Sequence, residues 1–547
     1  MDKKVVMGVV LGIALIVGWN TWYYKRYGAT IEQNRAARAQ SAKTFSKNYD
    51  GKGEKKPSAQ PQSGDPELFL PSGTGIGEAE PETGISDNII TVDTGVTKVL
   101  LSSRGGVLTS LQLLKYLDKD GKPIELVSRF AMFKPLTVEF ATPESTQKVN
   151  SSVFSVKAPS DYITLAPHNP SAEIIFEYSL ESGFRLKKKL VFHNDSYRFD
   201  LEVNISHPGM DVAGSTFGLM WPGLGGDIES SYSYEGPVVL IRDKRLTEKP
   251  DDGEKMVYEG NVAWTGLTKK YYCMAFLPES ESSKVINRKV GKKDYSTTLQ
   301  LVARKKGPAN RLSVYAGPKS HEELGKIDNE FIRMINYGWL DFISQPLYKL
   351  MDWFYKFTGN YGWSIIILTI IIKIIFYPLS HKSFKSMNKM KQMQPHMKMI
   401  QQRYKNDKSK MNEELVALYK KHKINPLGGC LPMVMQIPVF IALYRVLLDS
   451  IELKGAHFIF WITDLSLKDP YYVSPLLMGL SMFLQQKLSP AGTDPMQKNL
   501  MLAMPVIFTI MFLNFPSGLV IYWLVNNVLS IAQQFHISKS KSEEAPA

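Results

Sequence analysis

The run GWSIIILTIIIKIIFYPL, residues 362–379, carries a single charge, Lys373, in an otherwise apolar stretch. It leads into residues 381–423, which hold twelve Lys/Arg against three acidic residues. An ionisable side chain inside a membrane span is costly and marks a functional position by default. A dense basic loop directly after a span marks the cytoplasmic side. The chain therefore reads as a membrane protein whose working part faces inward.

The totals average two unlike halves. Over 547 residues the net charge is +14 and the mean hydropathy −0.15, yet residues 25–335 are polar and mixed in charge while residues 338–535 are dominated by apolar runs. Much of the basic excess flanks spans, so the positive-inside rule accounts for it without nucleic acid. The two cysteines, Cys273 and Cys430, have neither CxxC nor Cys/His spacing, which argues against a disulfide framework or a zinc site. His321-Glu322-Glu323 lacks the second histidine of a zincin, and no G-x-S-x-G or Walker A sequence occurs. No catalytic residue, metal or cofactor is expected.

At the N-terminus, Val5–Tyr24 is apolar and ends in aromatic residues and Lys25-Arg26. It is long enough to span a bilayer and lacks a small-residue cleavage site, so residues 1–26 read as an uncleaved anchor. Residues 27–87, with Pro, Ser and Gly among charges, read as a flexible linker. From 88 to 335 the pattern is that of strands: Ile89–Val92, Val99–Leu101, Ile174–Tyr178, Phe184–Phe192 and Tyr197–Ile205 are rich in β-branched and aromatic residues, with turn signals between them. This predicts a large all-β sandwich. Residues 336–360 have helical spacing and many Trp/Tyr/Phe, which suits an amphipathic helix in the membrane interface.

Spans follow at 361–380, 425–448, 470–486, 500–515 and 517–535, which with the anchor makes six. Their apolar cores include runs of 14 to 16 residues, covering only about 21–24 Å, so a thinned bilayer or a polar cavity is implied. Residues 449–469 carry four acidic residues and two lysines. That puts 449–469 and the β region outside, and the basic 381–424 segment, the 487–499 loop, the 536–547 tail and both termini in the cytoplasm.

Lys373 is expected about six residues, roughly 9 Å, from the cytoplasmic end of its helix. It reads either as a snorkelling side chain or as a charge in a wet groove. Gln436, Tyr522, Asn526 and Asn527 are polar at membrane depth and should face the bundle interior, as groove groups or as interhelical hydrogen bonds. In the basic segment, Met387, Met390, Met393 and Met397 recur on one face of a helix kinked at Pro395, with a second helix after Asn406-Asp407. The methionine stripe either offers a flexible apolar surface to clients or closes the hairpin. Its lysines suit anionic lipid heads.

Four long segments carry a resemblance: NYGWLDFISQPLYKLMDWFYKFTGNYGWSIII (336–367), KINPLGGCLPMVMQIPVFIALY (423–444), DPYYVSPLLMGLSMFLQQKLSP (469–490) and MPVIFTIMFLNFPSGLVIYWLVNN (504–527). They resemble the YidC/Oxa/Alb family of membrane protein insertases, of the Gram-negative bacterial YidC type. SRGG (103–106) and WTGLTKKYYCMAFLP (264–278) extend the likeness into the β region. The resemblance implies a periplasmic β-supersandwich and a five-helix core whose groove holds one basic residue, here Lys373. It implies a client slide along the third and fifth spans, which would include Met435, Val439, Phe508 and Phe512, and a capture role for the cytoplasmic hairpin. Implied partners are nascent inner-membrane proteins, the Sec translocon with its accessory subunits, ribosomes and the signal recognition particle receptor. The short near-neutral tail after Ile537 lacks the basic extension that docks ribosomes in some relatives. Two other readings compete: a secondary transporter or channel with Lys373 as counter-charge, and a membrane-anchored periplasmic carbohydrate-binding protein. An inverted repeat, expected of the transporter, and a carboxylate pair, expected if the anchored domain were a carbohydrate-active enzyme, are not evident in the sequence.

Overall fold

The computed structural model describes residues 87–539, apart from 119, 130–132, 207–214, 227–232, 280–281, 292–293, 304–309, 423–430 and 489–494. The expected N-terminal anchor and nearly all of the linker lie outside the described residues, as does Cys430.

Residues 89–318 form eighteen described strands in two sheets, one of five strands and one of thirteen. Alternation drives this. In Arg185–His193 the odd positions are exposed or half-buried while Leu186, Leu190 and Phe192 point inward, as the two-residue period of a strand requires. The strand pairs in antiparallel register with Ser171–Ser179 on one side and Arg198–Ser206 on the other. The Ser103–Gly106 turn needs glycine twice, because Gly105 and Gly106 have φ of 76° and 54°. A Cβ on Gly105 would also meet the Asn150 carbonyl.

The helical half begins with an amphipathic helix, Asp341–Thr358, ended by Gly359 in the left-handed conformation. Phe342, Trp353 and Phe357 stand exposed on it. The β domain docks onto this helix and onto the loop at 449–469. His321 stacks on Tyr348 with ring centroids 3.8 Å apart, Tyr348 Oη donates to Glu452 at 2.8 Å, and Lys454 Nζ donates to Tyr272 Oη at 2.8 Å. Burial pushes the Glu452 carboxyl up and holds His321 down at about 4, so the histidine adds no charge to this junction near neutral pH.

Asn360 caps the next helix, Tyr361–Ile375, by accepting from the Gly362 and Trp363 amides. Gly362 lies so close to Phe458 that a Cβ would collide with the ring. Here the structure corrects the sequence reading. The apolar run at 362–379 is not one helix: it breaks at Phe376, and a second helix, Tyr377–Gln392, leaves at 64°. Pro378 lies in the first turn of that second helix. It has no N–H to give the Ile374 carbonyl, and its ring would clash there in a straight helix. Lys373 therefore sits in the last turn, two residues from the helix end, rather than six.

The hairpin continues with Gln394–Arg403 and Lys408–Lys421, and the bundle with Leu431–Asp449, Val473–Leu488, Pro495–Phe512 and Ser517–Lys539. Among the described residues no single helix is long and apolar enough to cross a membrane. The bent pair Tyr361–Ile375 and Tyr377–Gln392 qualifies together. Large apolar side chains nevertheless stand exposed in rows: Ile370 and Ile374; Leu476, Leu480 and Leu484; Val506, Ile507 and Ile510. Contiguous apolar surface of this kind needs a non-aqueous neighbour. Before the Val473–Leu488 helix, Asp469 ties the chain by accepting from Trp461 Nε1 at 3.0 Å and from the Ser474 amide and hydroxyl at 2.7 Å. Burial raises its carboxyl, but these hydrogen bonds outweigh burial and hold it below the usual range.

Candidate functional site: a polar stripe across three helices

Side chains four residues apart lie on one face of a helix. Tyr522, Asn526 and Ser530 follow that spacing along Ser517–Lys539 and form a stripe facing two other helices. The Lys373 ammonium donates to Ser530 Oγ at 2.7 Å, and Ser530 Oγ donates in turn to the Asn526 carbonyl at 2.7 Å. From the Leu431–Asp449 helix, Gln436 Nε2 donates to Asn526 Oδ1 at 2.6 Å. Tyr522 is buried against Phe440, rings 6.3 Å apart and nearly parallel. Its hydroxyl lies beside Gln436 but makes no hydrogen bond of good geometry.

Lys373 is half-buried, and its partner is a hydroxyl. Among the described residues no carboxylate pairs with it. The stripe is thus a row of hydrogen-bonding groups ending in an uncompensated positive charge. It can bind and orient an anionic or polar segment. It holds no nucleophile paired with a base, and no group of metal ligands occurs among the described residues.

The structure separates two residues that the sequence grouped. Asn527 turns away from the stripe and donates to Ser481 Oγ at 3.0 Å, while Ser481 donates to the Met478 carbonyl at 2.6 Å. Successive residues on a helix differ by about 100°, so Asn527 clasps the Val473–Leu488 helix instead of facing Lys373. Ser530 was missed by sequence reading. Its signal was the spacing of four from Asn526, which a hydroxyl amid apolar residues does not advertise.

Of the expected slide residues, Val439 and Phe508 are half-buried and Phe512 is only 1% exposed. The Met435 side chain lies outside the described residues. Trp523, also missed, organises this region. Its ring meets Phe440 at 4.7 Å, Phe512 at 5.4 Å and Phe508 at 6.0 Å. The Gln436 and Phe508 helices therefore meet across one indole, one residue along from Tyr522. Phe512 is committed to this cluster and also packs on Phe515.

In the hairpin, Met387, Met390 and Met393 are half-buried, and Met393 marks the break between its first two helices, with Pro395 in the first turn of the second. Met397 is buried and receives the Tyr419 hydroxyl at 3.9 Å from its sulfur. It closes the hairpin rather than presenting a surface.

Comparison with known proteins covers both halves. The family model described as 60Kd inner membrane protein matches residues 353–544, and the model described as YidC periplasmic domain matches residues 89–350. The chain is 37% identical over 569 residues to the membrane protein insertase YidC of Syntrophus aciditrophicus, covering 98% of this chain and 100% of that protein. It is 36% identical over 552 residues to the insertase YidC of Geobacter metallireducens, covering 99% of both. The insertase YidC of Geotalea daltonii is 37% identical over 493 residues, with 84% of this chain and 88% of that protein covered.

Proposed function

Because this chain belongs to the YidC family of membrane protein insertases, whose work is not enzymatic, we propose that it lowers the barrier to moving polar client segments outward through the stripe ending at Lys373. The protein is a membrane insertase with a periplasmic β domain and a helical core. In the proposed mechanism, Lys373 attracts an acidic or polar client segment into the bilayer. Ser530, Asn526 and Gln436 replace part of its hydration, so fewer hydrogen bonds are lost in crossing. The client's apolar segment then leaves past Phe508, Val439 and the Trp523 cluster into lipid, and its partition drives the reaction.

The proposed topology has six spans with both termini in the cytoplasm. Nascent inner-membrane proteins are the clients. The Sec translocon and its accessory subunits, ribosomes, the signal recognition particle receptor and anionic lipids are the proposed partners, and the half-buried Met387, Met390 and Met393 make the first contact with clients.

The reading rests on one observation, the uncompensated Lys373 at the end of a hydrogen-bonding row shared by three helices. Photo-crosslinking during insertion tests it. A benzophenone side chain at position 526 or 530 should capture the exported polar segment of a small client, while the same group at Leu480, on the exposed face, should capture lipid. Equal client capture at Leu480 and at 526 would sink the proposal.

A further inference from the structure

Between the β domain and the amphipathic helix lies a cavity of about 1290 Å³, with none of the polar-stripe residues in its lining. Arg245, Arg333, Tyr348, Trp353, Tyr361 and Glu452 are among its lining residues. Most charges around it are already matched. Arg333 pairs with Asp243 at 3.7 Å and Lys356 with Asp352 at 3.5 Å. Asp341 accepts from the Tyr337 amide at 3.0 Å, and Glu452 accepts from Tyr348.

Arg245 differs. Its Nε is shielded from solvent and has no hydrogen-bond partner, and no ion pair to its guanidinium forms among the described residues. Burial holds that guanidinium down at about 10. A shielded Nε–H with no acceptor on a half-buried side chain is costly, and a planar fork of N–H donors is the group best matched to phosphate or carboxylate oxygens.

Position narrows the anion. Trp353 lines the cavity and is also 51% exposed, on the same helix as the exposed Phe342 and Phe357. Such a face lies at the level of lipid headgroups, so the cavity opens where phosphodiesters are concentrated. We propose that this cavity binds a phosphate-bearing anion at Arg245, supplied by a membrane phospholipid headgroup. The proposal needs the amphipathic helix to lie in the interface and does not depend on the role given to Lys373.

The experiment uses the purified full chain, delipidated in an uncharged detergent. Native mass spectrometry and thermal unfolding would be followed with short-chain phosphatidylethanolamine, short-chain phosphatidylglycerol or inorganic phosphate as probes. Wild type should retain one phospholipid that Arg245→Gln loses, with about a tenfold weaker affinity in the variant, and Arg245→Lys should fall between them. Without lipid, Arg245→Gln should melt no lower than wild type, since it removes a half-buried charge whose Nε–H has no acceptor and which forms no ion pair among the described residues. Lipid should reverse that order by stabilising only the protein that binds it. If inorganic phosphate protects wild type as well as lipid does, and protects Arg245→Gln not at all, the anion site stands and its source is a soluble phosphate. Equal lipid retention by wild type and Arg245→Gln overturns the proposal, as does a lower melting point of Arg245→Gln in lipid-free detergent.

Discussion

Lys373→Glu should abolish insertion of a client with an acidic exported tail, Lys373→Arg should preserve it, and Lys373→Ala should reduce it by about tenfold or more. The order follows from the site. Lys373 donates to Ser530 and has no carboxylate partner among the described residues, so its charge is available to a client. Alanine removes that charge and leaves Ser530, Asn526 and Gln436 as neutral donors and acceptors. Losing one charge-assisted hydrogen bond costs roughly 1.5–3 kcal/mol, which corresponds to about ten- to a hundredfold. Glutamate does worse, because it sets a like charge against the acidic segment, at a cost of several kcal/mol. Arginine keeps the charge and can reach the same hydroxyl. The measurement is complementation of a strain depleted of its own insertase, with client insertion scored by protease protection at matched expression. An alanine variant that inserts the client as well as wild type would reduce Lys373 to a structural donor for Ser530.

The residue types that make this site were visible in the sequence, and its geometry was not. Lys373 stands out because a charge in an apolar run is rare. How far it sits from the helix end was misread, because hydropathy counts side chains and ignores the backbone hydrogen bond that Pro378 cannot make. The bend at Phe376 was therefore written in the sequence as a proline whose consequence lay in the backbone. Asn526 and Asn527 look alike as neighbours, yet one meets Gln436 and the other Ser481. Only the rotation of the helix against its neighbours tells them apart. Met397 shows the same limit: its periodicity was plain, but a stripe facing a client and a stripe facing Tyr419 have the same period.

The all-β character of residues 89–318 was legible from alternation and turns, because a strand buries every second residue whatever its partner. Strand order was not, since pairing between distant strands such as Arg198–Ser206 and Asn310–Pro318 leaves no local trace. A buried charge leaves a fainter trace. Lys187-Lys188-Lys189 has the composition of a solvated face, yet the middle residue shares the inward parity of Leu186 and Leu190. Parity is the signal that places it.

That middle residue carries the second large effect expected. Lys188 is 0% exposed, and its ammonium donates to the carbonyls of Gly105 and Leu136 at 2.8 Å and of Gly106 at 3.1 Å. An ammonium has three N–H donors, so one side chain satisfies three carbonyls from two separate segments and ties the Ser103–Gly106 turn to the larger sheet. Lys188→Ala would leave those acceptors buried without a donor and open a cavity, at about 3–5 kcal/mol. Lys188→Met fills the space and loses only the hydrogen bonds, so it should cost less. Urea unfolding of the full chain, read by the fluorescence of the buried Trp221 and Trp264, would report both. The pH dependence separates charge from packing. Burial holds the folded-state amine down at about 7, against about 10.4 in an unfolded chain. Below pH 7 both states carry the proton and the cost of burying it is fully present. Between about 7 and 10 the unfolded state holds more protons than the folded one, so stability rises with pH, by at most about 1.4 kcal/mol per unit. Wild type should therefore gain on Lys188→Met as pH is raised from 7 to 9. A constant difference between them over that range would mean that the three carbonyls keep the proton on the amine, and that Lys188 is a permanent cation at the centre of the β domain.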